Sequence, residues 1–180
     1  METYCLFCKS GQESVVITLL ARSGWTAFSP LTVRNRPGAA GLNRTKARLL
    51  PGYVFFDADE EPDWDRIRRY SAVLKVLRYE DGSAALRGGD MDFVRWLRQY
   101  DGMVDISGVV KVGTKIAFVS GPLVGMEAKV LKVNKSRRQV QIALSGGDAL
   151  FHNIWCSIEY IGDHADAEQL HRSVQISDQG

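Results

Sequence analysis

Apolar and polar positions change period several times along the chain, and each change marks an element. Residues 3–9 have the β-prone character of a partly buried strand. Ser10 and Glu13 then stand at capping-box spacing. Val15, Val16, Leu19 and Leu20 follow at helical spacing, and Gly24 suits a stop, which predicts a first helix over residues 11–23. Extended structure resumes over residues 25–31. Pro51-Gly52 opens a strand at Tyr53-Val54-Phe55-Phe56, and Pro62 with Asp63 and Asp65 favours a short helix through Trp64, Ile67 and Tyr70. Residues 72–79 form another strand, ended by Asp81-Gly82. Asp90 is placed to cap a third helix whose Phe93, Val94 and Leu97 share one face. The order β-α-β-β-α-β-α over residues 1–100 predicts an α+β sandwich of one antiparallel sheet and a few helices.

The pattern changes after residues 101–108, which read as a linker. Residues 109–162 carry only strand and turn signals: Val130, Leu131 and Val133, then Val140, Ile142 and Leu144, then Ile154, Trp155 and Ile158. Turns fall at Ser120-Gly121-Pro122 and at residues 134–138. A small five-strand β-barrel with a basic hairpin tip fits this layout. Residues 163–180 lack periodicity and read as a flexible tail.

Composition adds bounds. The chain has 180 residues, 45% hydrophobic and 24% charged, ordinary for a globular protein. No run of apolar residues is long enough to span a membrane, and the N-terminus lacks the pattern of a signal peptide, so a cytoplasmic location is expected. The net charge of +2 conceals a mildly basic body and an acidic tail. Cys5 and Cys8 form a C-x-x-C, but the third cysteine, Cys156, and the scattered His152, His164 and His171 do not complete a zinc site. Small buried thiols are the expectation, with no metal and no cofactor. Asp57, Asp59, Glu60, Glu61, Asp63 and Asp65 lack a neighbouring His or Lys and calcium-loop spacing, so they read as a solvated acidic face. The glycines do not match a phosphate-cradling signature. No enzymatic activity is expected.

Two basic clusters stand out instead. Lys129, Lys132, Lys135, Arg137 and Arg138 gather on the second hairpin of the barrel, with Lys111 and Lys115 as lesser members. A projecting cationic finger suits the phosphates of an RNA stem; a solvated turn is the plain alternative. Arg34, Arg36, Arg44, Lys46 and Arg48 lie in an acid-free stretch, residues 32–49, where Pro37-Gly38 and Gly41 predict a mobile loop. That loop could reach DNA through its backbone.

Four segments, in order, resemble the NusG family of transcription elongation factors, which join an N-terminal NGN domain to a C-terminal KOW barrel. Tyr4-Cys-Leu-Phe-Cys-Lys-Ser-Gly-Gln-Glu13 is similar to the family's opening strand and helix start. Leu49-Leu50-Pro51-Gly52-Tyr53-Val54-Phe55 is similar to its Phe-Pro-Gly-Tyr-Val strand, with Leu50 at the Phe position. Trp64-Asp-Arg-Ile-Arg resembles its second helix, and residues 113–134, including Gly121-Pro-Leu-Val-Gly125, resemble the KOW motif. The resemblance covers residues 3–161. It implies an NGN domain over residues 1–100 and a KOW domain over residues 109–162. It also implies a monomer that docks on the β′ clamp helices of RNA polymerase, with Leu50, Pro51 and Tyr53 at the contact. For Tyr53 the plain alternative is core packing.

The departures matter too. Thr3 replaces the family's usual Trp. Where general members carry a Phe-Gly-Arg turn that binds ribosomal protein S10 or the termination factor Rho, this chain has Ser145-Gly146-Gly147-Asp148. Without the aromatic anchor and the cation, weak or absent coupling to either is expected. The chain thus resembles the specialised LoaP group of processive antiterminators, which implies an RNA hairpin in a leader transcript as partner, with upstream DNA as a further one. A general elongation factor and a ribosome-associated KOW protein remain the competing readings.

Overall fold

The computed structural model describes residues 1–38, 41–144 and 149–161. Two strands form its centre, β1 (Glu2–Cys8) and β5 (Tyr53–Ala58), paired antiparallel from Glu2↔Ala58 to Phe7↔Tyr53. Strand β2 (Thr26–Phe28) borders β5 and strand β6 (Val73–Val76) borders β1, giving the order β2-β5-β1-β6. Side chains alternate across a strand, and here both faces are apolar. Tyr4, Leu6, Cys8, Val54 and Phe56 pack under helix α1 (Glu13–Ala21) and helix α2 (Trp64–Arg68), through Val16, Leu20 and Ile67. Cys5, Phe7, Tyr53 and Phe55 point the other way, to helix α3 (Gly88–Gln99) with its Phe93, Val94 and Leu97. The two cysteines of the C-x-x-C are therefore in different cores, both buried and free.

The stretch expected to be a mobile loop is a long β-hairpin instead. Strand β3 (Leu31–Gly38) and strand β4 (Gly41–Arg48) pair from Leu31↔Arg48 to Gly38↔Gly41. The β-branched Thr32, Val33 and Thr45 supply strand propensity, and Pro37-Gly38 and Gly41 mark the end of a ladder where a loop was expected. The hairpin is rooted on strand β7 (Met103–Val104), which runs parallel to β3 and falls within residues 101–108.

The C-terminal part is a five-stranded sheet. Strand β8 (Ser107–Val112), strand β9 (Lys115–Ser120), strand β10 (Val130–Asn134), strand β11 (Gln139–Ala143) and strand β12 (Asn153–Tyr160) take the order β10-β11-β12-β8-β9. All pairs are antiparallel except β12 with β8. The sheet curls, but among the described residues its edge strands β9 and β10 are not paired. A 3-10 turn, Glu127–Lys129, spans that gap, and the Phe118 N–H donates to Glu127 Oε1 at 2.9 Å. The expected closed barrel is thus an open, curled sheet in these residues. Its Val109, Phe118, Leu123, Val140, Ile142, Ile154 and Ile158 join Phe55, Phe93 and Leu97 in one continuous apolar core. The Ser145–Asp148 turn and the expected tail lie outside the described residues.

Two acidic residues have roles that the sequence did not predict. Helix α1 starts after Gln12 with no side-chain cap, so Ser10 and Glu13 form no capping box. Glu13 is buried, 2% exposed, and its Oε1 accepts the Gly52 N–H at 2.8 Å. Gly52 needs that place: its φ is +85°, and a Cβ would lie 2.8 Å from both the Cys8 carbonyl oxygen and the Phe7 ring. The Cys8 N–H in turn donates to the Gly52 carbonyl at 2.7 Å. Likewise helix α3 has Arg87 at its N-cap position, and Asp90 lies buried in its first turn instead of capping it.

Burial pushes the Glu13 carboxyl up. Backbone N–H groups, including that of Gly52, and the Arg48 guanidinium outweigh this and hold it below its ordinary value of 4.5. A depressed carboxyl stabilises the fold fully above its unfolded value, and the contribution is lost as pH falls through the folded one. Denaturant titrations from roughly pH 6 to 3 should show this acid loss. Glu13→Gln should be less stable by about 1 kcal/mol at neutral pH and have a shallower acid slope.

Candidate nucleic-acid and polymerase-facing sites

The basic tip is set by its own turn. Residues 135–138 link β10 to β11 across the Asn134↔Gln139 pair. Asn134 Oδ1 accepts from the Ser136 hydroxyl at 2.9 Å and from the Arg137 N–H at 3.0 Å, an Asx-type closure. Arg138 has a φ of +49°, and its carbonyl accepts the Ile158 N–H of β12 at 2.9 Å. Lys132, Lys135 and Arg137 are exposed, and Arg138 is half-buried. Lys129 was expected on the strand beside Val130 but lies in the 3-10 turn. It lines a groove of about 340 Å³ between α3 and the five-stranded sheet, with Asp92, Arg95 and Trp96. Lys111 and Lys115 share a cavity of about 430 Å³ with Lys135 and Tyr160. Tyr160, 38% exposed, is a ring beside three lysines that the sequence reading missed.

The second basic cluster splits. Cross-strand partners share a face, so the register places Arg34 and Arg36 with Thr45 and Asn43, while Arg44, Lys46 and Arg48 take the other face. Arg44 pairs with Glu159 of β12 at 2.7 Å. Arg48 is structural: its guanidinium donates to the Ser29 carbonyl and the Ser14 hydroxyl and stands 3.9 Å from Glu13. Lys46 is exposed. Arg34 and Arg36 stand beside Arg137 and Arg138 in an open cleft of about 660 Å³, although the four are a hundred residues apart in sequence.

The expected polymerase contact lies at the seam of the two sheets. Pro51 is exposed, while Leu50 and Tyr53 are half-buried. The Tyr53 ring packs between Phe7, at 5.0 Å, and Phe151, at 5.6 Å. Burial raises its hydroxyl above the usual phenol value. Phe151 also packs on Phe55 at 5.4 Å and Phe93 at 5.8 Å. The backbone before it is fixed by Asp90. The Leu150 N–H donates to Oδ2 at 2.9 Å and the Phe151 N–H to Oδ1 at 3.1 Å. The Tyr79 hydroxyl donates to Oδ2 at 2.8 Å. Burial, with Asp90 adding to it, pushes that phenol up to about 12. The tie between Asp90 and the 150–151 backbone had no sequence signal, since the two lie about sixty residues apart.

Asp90→Ala leaves the Leu150 and Phe151 amide donors unpaired and removes the shorter of the two hydrogen bonds that the Tyr79 hydroxyl donates. It should cost about 3 kcal/mol and release the 149–151 segment from α3. The Trp96 indole N–H, which donates to the Pro122 carbonyl at 3.3 Å across the same seam, reports that release. Its NMR signal should shift toward the solvent-exposed position, and Phe151→Ala should produce the same shift.

The family model for NusG, described as transcription termination factor nusG, matches residues 1–95. A solved structure described as domain interaction in Thermotoga maritima NusG aligns over 86% of this chain and 90% of that one, at 16% identity and a TM-score of 0.48. No curated protein matches the chain. No described helix is long and apolar enough to cross a membrane. The family model covers more than half of the sequence, and the chain belongs to the NusG family of transcription elongation factors.

Proposed function

We propose that this NusG-family protein is a processive antitermination factor with two grips. One is on RNA polymerase, through the sheet face at Leu50, Pro51 and Tyr53. The other is on a transcript hairpin, through the KOW-type sheet. The observation that supports the second grip is the turn at residues 135–138. Its Lys135 and Arg137 are exposed and form no ion pair among the described residues, and its backbone is held by Asn134 and β12. Such a rigid cationic projection loses little entropy on meeting phosphates. Lys111, Lys115 and Tyr160 beside it add charge and a stacking surface for an unpaired base. Lys132 and Lys129 extend the positive field along the same edge.

The polymerase grip follows from family membership together with the place of Tyr53 at the end of β5. In the described conformation Phe151 covers one side of that ring. Engagement through Tyr53 therefore requires the 149–151 segment to give way. An aromatic ring with a polar tip is suited to either packing partner.

The two grips separate by mutation. Lys135→Glu with Arg137→Glu should abolish retention of a transcript stem-loop in an anisotropy assay and leave co-purification with RNA polymerase intact. Tyr53→Ala should do the reverse. Loss of polymerase binding in the charge-reversal variant, or unaltered RNA binding, would refute the assignment.

A further inference from the structure

The cleft between the two basic hairpins links residues that the sequence reading had assigned to different ligands. One wall is the outer part of β3, with Arg34, Asn35 and Arg36. The other is the β10–β11 turn, with Ser136, Arg137 and Arg138. At about 660 Å³ the cleft has the size of a ligand site, enough for a short stretch of sugar-phosphate chain. Its cations are uncommitted: the guanidinium groups of Arg36, Arg137 and Arg138 make no ion pair among the described residues. The β3 wall carries a donor without an acceptor. Arg34 Nε is shielded from solvent and has no protein hydrogen-bond partner. Buried donors left unpaired cost free energy that an incoming oxygen would recover. On the opposite face of the first hairpin Arg44 pairs with Glu159 of β12.

We infer that the two hairpins form one bipartite RNA-backbone site, in which Arg34 and Arg36 of the N-terminal part hold the same strand that Arg137 and Arg138 hold from the C-terminal sheet. The inference rests on the RNA reading of the β10–β11 turn and extends it across the molecule. Arginine forks match phosphate oxygens in a bidentate manner. The neutral groups between them favour RNA over DNA: Ser136 and Gln139 can donate to or accept from a 2′-hydroxyl, which a DNA strand lacks. The N-terminal hairpin is then a part of transcript recognition, and its Arg34 face is distinct from the Lys46 face.

The test uses the full chain and a fluorescein-labelled RNA stem-loop of about one helical turn, read by anisotropy over a salt series, with a DNA stem-loop of the same sequence alongside. Arg34→Ala with Arg36→Ala should weaken RNA binding roughly tenfold and lower the slope of log affinity on log salt by about two. Arg36→Ala alone, at an exposed position, should give about half of that slope change without altering the melting temperature. Lys46→Ala should leave RNA binding unchanged. If the Arg34 and Arg36 variants bind RNA like wild type while Lys135→Glu with Arg137→Glu does not bind, the shared cleft is overturned and the single-hairpin reading survives. If wild type holds the DNA stem-loop as tightly as the RNA, the 2′-hydroxyl assignment is overturned. If wild type holds neither, the RNA function itself fails.

Discussion

A buried carboxylate that must receive hydrogen bonds from two separate parts of the chain fixes how this molecule is assembled. Asp90 leaves the first turn of α3 and takes the amide hydrogens of Leu150 and Phe151, with the Tyr79 hydroxyl as a third donor. A charged acceptor without such partners would be prohibitively costly inside an apolar core. The carboxylate therefore selects the arrangement in which the C-terminal sheet lies against α3. Phe151 then enters the space between Tyr53, Phe55 and Phe93. Polar satisfaction sets the register of the contact, and aromatic burial supplies most of its free energy.

The same logic recurs on the other side of the central strands. Glu13 is a second buried carboxylate that reaches from a helix to a turn, here to the Gly52 amide. Together the two acids hold both ends of β5's environment: Glu13 fixes where the strand begins, and Asp90 fixes what lies against its α3-side face. Arg98 adds a third tie, from α3 to Asp57 at 2.6 Å, with Thr3 donating to the same carboxylate at 2.7 Å. The Thr3 hydroxyl thus takes part in the tie between the first strand and α3.

Periodicity and turn residues made the main elements legible. Residues 3–9 and 53–56 read as strands, the first partly buried, and Phe93, Val94 and Leu97 as one helix face. Misreadings came from residues whose meaning depends on distant partners. Ser10 and Glu13 have a capping-box spacing, yet Glu13 turns inward because a buried amide at Gly52 competes for it. Asp90 resembles a cap for the same reason. Pro37-Gly38 and Gly41 suggested a loop because cross-strand pairing, which decides between loop and ladder, is absent from a local window. The basic clusters were visible as composition. Their meeting in one cleft was not, since Arg34 and Arg137 are brought together only by the fold of β3 against β12. Pairing also gave two of these cations protein partners: Arg48 meets Glu13, Ser14 and Ser29, and Arg44 meets Glu159.

Arg138 gives the basic turn a further meaning. Its backbone sits at φ +49°, a conformation glycine or asparagine occupies with less strain. Tightness of that bend alone would be better served by glycine. An arginine there accepts roughly 1 kcal/mol of backbone strain in exchange for a guanidinium at the cleft wall. The hairpin is thus less stable than its geometry permits, and the deficit is one that a bound polyanion can offset. Ligand and turn become thermodynamically linked: whatever neutralises Arg138 should also stabilise the hairpin against opening, slowing amide exchange along β10 and β11.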